Sequence, residues 1–160
     1  MEHLWAPWRL EYIKSADEEG GCLFCAAAAG GDEAERLVVH RGEHAFVLLN
    51  KFPYSSGHFM VAPSRHTGDL ASLEPEEVVE IHRLATDGIA ALRELYAPDG
   101  FNLGWNIGRA AGAGIVDHIH LHVVPRWSGD TNFMPVLADV KVLPEHLLET
   151  ARRLRAAWPT

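Results

Sequence analysis

Three histidines, His118, His120 and His122, alternate with Ile119, Leu121 and Val123 in the stretch "DHIHLHVVPRW". Along a strand, side chains two residues apart share a face and stand about 6.5–7 Å apart. The imidazoles should therefore line one face, and the apolar residues the other, against the core. Such a row has three readings. It can be a half-exposed strand face that happens to carry histidine. Two neighbouring histidines can hold a metal. A neutral imidazole can also act as a nucleophile near neutral pH.

A second group is Cys22 and Cys25 in "CLFC", the only cysteines of the chain. Cys-x-x-Cys serves a zinc half-site, a redox pair or two buried thiols. No thioredoxin-like βαβ pattern surrounds it, which weakens the redox reading. A structural zinc takes four ligands, so histidines would have to complete the set. A disulfide framework is absent, and a cytoplasmic location is expected. A third group is the glycine-rich stretch "GRAAGAG", just before the histidine row. Glycine lets backbone N–H groups approach an anion closely, and Arg109 adds charge.

Several elements must position these groups. Leu37–His40 and Ala45–Asn50 read as two strands joined by a turn at Arg41–Glu43. "FPYSSG" is a loop, and His58–Ala62 is a third strand closed by Pro63. Pro75 opens a long helix with Glu76 and Glu77 in its first turn. Val78, Ile81, Ala85, Ile89, Leu92 and Tyr96 recur at helical spacing and predict its buried face. "APDG" ends it. Phe101–Ile107 and Val116–Val124 are a fourth and a fifth strand, and residues 144–156 form an amphipathic helix. The pattern predicts an α+β fold: an antiparallel sheet of about five strands, one long helix and a short C-terminal helix.

With 160 residues, the chain is long enough for one core and short for two. Residues 1–20 read as an aromatic-rich arm and residues 21–160 as one domain. "MEHLWAPWRLEYIK" lacks the pattern of a signal peptide. No stretch approaches the roughly 18 apolar residues of a membrane span. The net charge of −8 argues against broad nucleic-acid binding, which needs a basic face. A small anionic ligand remains compatible, because a few arginines and amides can make a local positive site.

The run His118-Ile-His120-Leu-His122-Val-Val resembles the signature of the histidine triad (HIT) family. The likeness extends to "SGHFMVAPSRH", "NLGWNIG" and "VVPRWSGDTNF" and covers roughly residues 20–135. The arm "LWAPWRLEYI" and the tail "PRWSGDTNF" look most like the bacterial diadenosine tetraphosphate phosphorylase branch. The "PR..GD" portion is also similar to the fragile histidine triad hydrolases.

The resemblance implies a HIT-like fold and a nucleotidyl hydrolase or transferase. His120 would attack the α-phosphorus of an adenine nucleotide such as diadenosine tetraphosphate. Water or phosphate would then release the nucleotide from the nucleotidyl-histidine intermediate. His122 would contact the phosphate, and His58 would sit near the leaving group. His66 and His118 would join Cys22 and Cys25 around a structural zinc, with no organic cofactor. Leu23, Phe24 and Leu48 would wall the base, Asn50 would bind the ribose, and Asn106 and Arg109 would contact phosphate. Arg126 would reach a distal phosphate or another subunit. A homodimer is implied.

One departure concerns the residues before the row. Most triad proteins carry Gln, Ser or Thr there, whereas this chain has Gly112-Ala113-Gly114-Ile115. Contacts to the leaving group would come from backbone N–H groups, those of Gly112 and Gly114 among them, or from elsewhere in the chain. Two other activities share these residues: a nucleotide-binding module with weak or lost catalysis, and an adenosine phosphoramidase. A zinc-dependent hydrolase with metal on the triad itself is a further possibility.

Overall fold

The computed structural model describes residues 21–33, 36–130 and 145–159. The aromatic arm and the end of the tail motif lie outside the described residues. The elements are α1 (Leu23–Ala28), β1 (Val38–Arg41), β2 (Ala45–Leu49), β3 (Phe59–Pro63), α2 (Pro75–Tyr96), β4 (Gly100–Trp105), β5 (Leu121–Arg126) and α3 (Leu147–Ala156). Short 3-10 turns cover Leu70–Ser72 and Arg109–Ala111. The strands form one antiparallel five-stranded sheet in the order β1-β2-β3-β5-β4. This is the expected α+β arrangement.

Alternation of side chains explains the layering. Val47, Leu49, Phe59, Val61, Leu121 and Val123 point to one face, where Ile81, Leu84 and Leu92 of α2 and Leu154 of α3 cover them. Phe46, Leu48, Met60 and Ala62 point to the other, where Phe24 and Ala27 of α1 cover them. Every residue of β2 and β3 is therefore buried. The sequence predicts only the first layer. The helix α1 lies in a stretch that reads as low complexity, although its alanines are strong helix formers.

The long helix has the expected start. Pro75 takes its first position, and Glu74 and Glu77 form a capping box. Its buried face includes the predicted Ile81, Ala85 and Leu92, with Ile89 and Tyr96 packed against the core, but not Val78. Val78 is 50 % exposed, and Glu77, Ile81, Leu84, Ala85, Gly88, Ala91 and Leu92 point inward. Buried carboxylates fill this face because backbone N–H groups and arginines satisfy them. Glu80 accepts from the amides of Glu43, His44 and Ala45 in the β1–β2 turn. Gly88 lets the helix approach the sheet closely, since a Cβ there would lie 2.4 Å from Cζ of Phe59.

Strand limits also shift by one to several residues, three of them beside the site. β5 starts at Leu121, because Ile119 gives its N–H to the Thr67 carbonyl (2.6 Å) in a loop, outside the ladder. β3 starts at Phe59, which leaves His58 in the preceding turn. β4 ends at Trp105. The C-terminal helix is confirmed over Leu147–Ala156.

Candidate active site and metal centre

The site forms where β3, β5 and α1 meet. After Pro63 the chain turns away from the sheet and carries His66. Arg65 anchors this turn by donating to Glu77 (3.1 and 2.7 Å) and to the Ser72 carbonyl (2.7 Å). Thr67 takes the amide of Ile119, and Gly68 packs so closely that a Cβ would lie 2.7 Å from the Val116 carbonyl oxygen. His66 and His118 are brought together by this seam.

His118 is fully buried. Its Nε2 lies 2.8 Å from the Pro63 carbonyl and donates to it. The proton on Nε2 leaves Nδ1 with a lone pair, facing Sγ of Cys22 at 3.3 Å and Sγ of Cys25 at 3.6 Å. Nδ1 of His66 lies 3.1 Å from Sγ of Cys25. The four ligand atoms fall within 4.8 Å of one another. Tetrahedral zinc with ordinary Zn–S and Zn–N bonds separates its ligands by roughly 3.3–3.8 Å. These residues therefore fit such an ion in donor type and spacing. Burial, and then the neighbouring Cys22, push the Cys25 thiol up. A bound cation would reverse that pressure and hold both thiolates.

A six-residue helix is too short to stand alone, and α1 is held at both ends. Its two cysteines stand at the start, in the metal set. Arg36 donates to the carbonyls of Ala26 and Gly30, and Arg41 to those of Ala27 (2.6 Å) and Ala28 (3.3 Å). These bonds satisfy carbonyls that a helix end leaves open. Between the cysteines, the Phe24 ring lies 5.1 Å from the His118 ring and 4.5 Å from the His120 ring.

His120 is 6 % exposed, and its Nδ1 lies 2.8 Å from the carbonyl oxygen of His118. A carbonyl only accepts, so Nδ1 carries the proton and Nε2 keeps its lone pair. Burial lowers the pKa of the ring below the ordinary histidine value, which favours this neutral form. The His122 ring stands edge-on to it at 4.8 Å. Nδ1 of His122 lies 3.0 Å from Nε2 of His58, and Nε2 of His122 lies 3.4 Å from Nδ2 of Asn106. His58, His120, His122 and Asn106 thus converge. Within the row, His118 and His120 are buried against Phe24 of α1, and His122 is half-buried.

The other predicted contacts are distributed less tightly. Leu23 is 37 % exposed at the start of α1, whereas Phe24 and Leu48 are buried in the second core. Asn50 folds back to accept the Phe52 amide at 2.9 Å. Gly108 and Gly112 take left-handed φ angles of 80° and 85° on either side of the Arg109–Ala111 turn, and Gly114 follows, half-buried. Arg109 is exposed on that turn. Arg126 stands at the far end of β5, paired with Asp130 (2.6 and 2.9 Å) and bonded to Asn102 (2.9 Å). Sequence reasoning misses Tyr54, whose ring stacks on His58 at 5.1 Å and 10°. It also misses the carbonyls of Pro63 and His118, since backbone acceptors leave no trace in residue identity.

The family profile described as HIT domain matches residues 32–129. An AP-4-A phosphorylase of Mycobacterium tuberculosis is 35 % identical over 165 residues, covering 99 % of this chain and 85 % of the relative. A Zn-bound histidine triad family protein of Mycobacterium smegmatis superposes with a TM-score of 0.68 at 35 % identity, over 86 % of this chain and 92 % of that one. A HIT family protein of Bacillus anthracis gives 0.61 at 28 % identity, over 81 % and 86 %.

Proposed function

The chain belongs to the HIT family, and on that premise we propose that it transfers an adenylyl group from a dinucleoside polyphosphate such as diadenosine tetraphosphate. Nε2 of His120 attacks the α-phosphorus, a P–N bond forms, and the P–O bond to the remaining phosphates breaks. The acceptor then attacks the same phosphorus and frees His120. We take inorganic phosphate as the acceptor, giving ADP and ATP, because a relative spanning nearly the whole chain is a phosphorylase. Water in its place gives AMP and ATP.

The observation that carries this reading is the bond from His120 Nδ1 to the His118 carbonyl, which leaves an unprotonated, buried nitrogen as nucleophile. His122 and Asn106 lie beside it to meet phosphate oxygens, and His58 supports His122. Leu23 and Asn50 take the nucleoside, with Phe24 and Leu48 backing its pocket. The amides around Gly112 and Gly114, with Arg109, face the leaving phosphates. Arg126 serves the strand end, through its pairing with Asp130.

Zinc held by Cys22, Cys25, His66 and His118 has a structural role: it fixes α1 and the ring of His118. We further propose a homodimer through β4. This outer strand of the sheet exposes half of Leu103, and Ile107 beside it is 55 % exposed. Among the described residues no helix is long and apolar enough to cross a membrane, and we place the protein in the cytoplasm, with a small nucleotide and no nucleic acid as its ligand.

Product analysis with diadenosine tetraphosphate tests the reading. ADP plus ATP only with phosphate present is the expected result. AMP plus ATP would change the acceptor to water. No turnover of this substrate or of an adenosine phosphoramidate would reject the activity.

A further inference from the structure

The loop before β3 holds a chain of hydrogen bonds whose proton positions are forced. The backbone N–H of Tyr54 donates to Nδ1 of His58 at 3.0 Å. That nitrogen therefore carries no proton, and Nε2 of His58 must carry one. Nε2 of His58 lies 3.0 Å from Nδ1 of His122. The His58 proton fills that contact, so Nδ1 of His122 accepts and Nε2 of His122 is protonated. The reverse assignment would strip His58 of both protons. Neither ring can be an imidazolium while the chain of bonds stands. Main-chain geometry thus fixes side-chain chemistry two residues away in the relay, as the His118 carbonyl does for His120.

The ring of Tyr54 contributes separately. It lies nearly parallel to His58, 5.1 Å between centroids and 10° between planes. A ring covered on its face cannot rotate about its χ angles without disturbing the stack. His58 itself is fully buried. It adjoins the reacting region through His122.

We propose that Tyr54 is a positioning residue: its amide and its ring hold His58 in the Nε2–H form, so that His122 meets the substrate phosphate as a neutral Nε2–H donor. This assigns His58 to the support of His122 and away from direct contact with the leaving group. It also assigns Asn106. Its Nδ2 lies 3.4 Å from a nitrogen that already bears a proton. With substrate bound, the two N–H groups converge on one phosphate oxygen, whose charge grows as the nucleophile attacks. Fixed neutral donors strengthen with that charge.

The kinetic consequence rests on the proposed adenylyl transfer, whereas the proton positions rest on the fold alone. Long-range ¹H–¹⁵N spectra of the histidine-labelled full chain read the latter without substrate, with signals assigned through His58→Gln and His122→Gln. His58 and His122 should both show protonated Nε2 and bare Nδ1, and His120 the opposite pattern. Tyr54→Ala keeps the backbone amide and with it both tautomers, but it removes the stack on His58 and should broaden the His58 and His122 signals as the uncovered ring moves. It should also lower kcat roughly ten- to hundredfold, with a smaller change in KM, and Tyr54→Phe should restore both readouts. A proton on Nδ1 of either His58 or His122 in the wild-type protein would overturn the proposal. So would a Tyr54→Ala protein with the wild-type spectrum. Failure to turn over any nucleotide would reject the activity and leave the spectroscopic test standing.

Discussion

His118 holds His120 through its carbonyl oxygen, 2.8 Å from Nδ1 of the second ring, while its own ring faces the thiols of Cys22 and Cys25. On the proposed reading, one residue thus serves the metal set through its side chain and the catalytic set through its main chain. A shift in the His118 ring would move the acceptor that fixes the His120 tautomer. Support of this kind around a metal ligand commonly tunes both its geometry and its neighbours.

Removal of the metal should therefore affect more than stability. Protein purified without chelator should carry about one equivalent of zinc, the complement of a single four-ligand site. Cys22→Ser should lose most of it and melt at lower temperature. At a temperature where the variant remains folded by circular dichroism, kcat should fall more than KM rises. Full zinc content in Cys22→Ser would remove that cysteine from the set.

Phe24 links the same two sites from α1. Its ring is 1 % exposed and covers both His118 and His120. Phe24→Ala leaves a cavity in the second core and should destabilise the fold by about 3–5 kcal/mol. Phe24→Leu keeps most of the volume and should cost less. Denaturant unfolding of both variants measures the difference, and equal stability to wild type would contradict the packing described.

These groups differ in how plainly the sequence shows them. His118, His120 and His122 announce a shared face through period-two spacing, whereas Cys22 with Cys25 leave a zinc half-site open beside a redox pair and two buried thiols. The α2 start is legible because Pro75, Glu76 and Glu77 are start signals in themselves. The coverage of the histidine face is not, since α1 is short and its alanines match helix, loop and low-complexity readings equally. Glu77 and Glu80 mislead in the opposite direction: acids read as solvent-facing, yet here Arg65 and the turn amides draw them inward. Tyr54 stays hidden because a loop aromatic carries no periodicity.

The two buried acids predict an acid-sensitive fold. The Arg65 guanidinium holds the Glu77 carboxyl below the usual range. Burial alone would raise Glu80, but the amides of His44, Glu43 and Ala45 outweigh it and lower its pKa. Both groups ionise more readily folded than unfolded. Their contribution is thus complete above the ordinary glutamate value of about 4.3 and is lost as pH falls through the lowered values. Thermal melting from pH 7 to pH 3 should show this decline, and Glu77→Gln with Glu80→Gln should flatten it. An unchanged acid limb in the double variant would assign the decline elsewhere.

Gly88 should tolerate no side chain. A Cβ would stand 2.4 Å from Phe59 Cζ, and both α2 and β3 are pinned by the rest of the core. Gly88→Ala should lose about 1–3 kcal/mol, the range for overpacking, although alanine is the better helix former. A more stable variant in urea unfolding would contradict this helix–sheet spacing.

The nucleophile can be tested by trapping. The protein is mixed with diadenosine tetraphosphate without phosphate, quenched in alkali within one turnover and digested for mass spectrometry. An adenylyl group on the peptide containing His120, localised to that ring and absent in His120→Ala, is the predicted result. Turnover in His120→Ala at the wild-type rate, or an adenylyl group on another residue, would contradict the account.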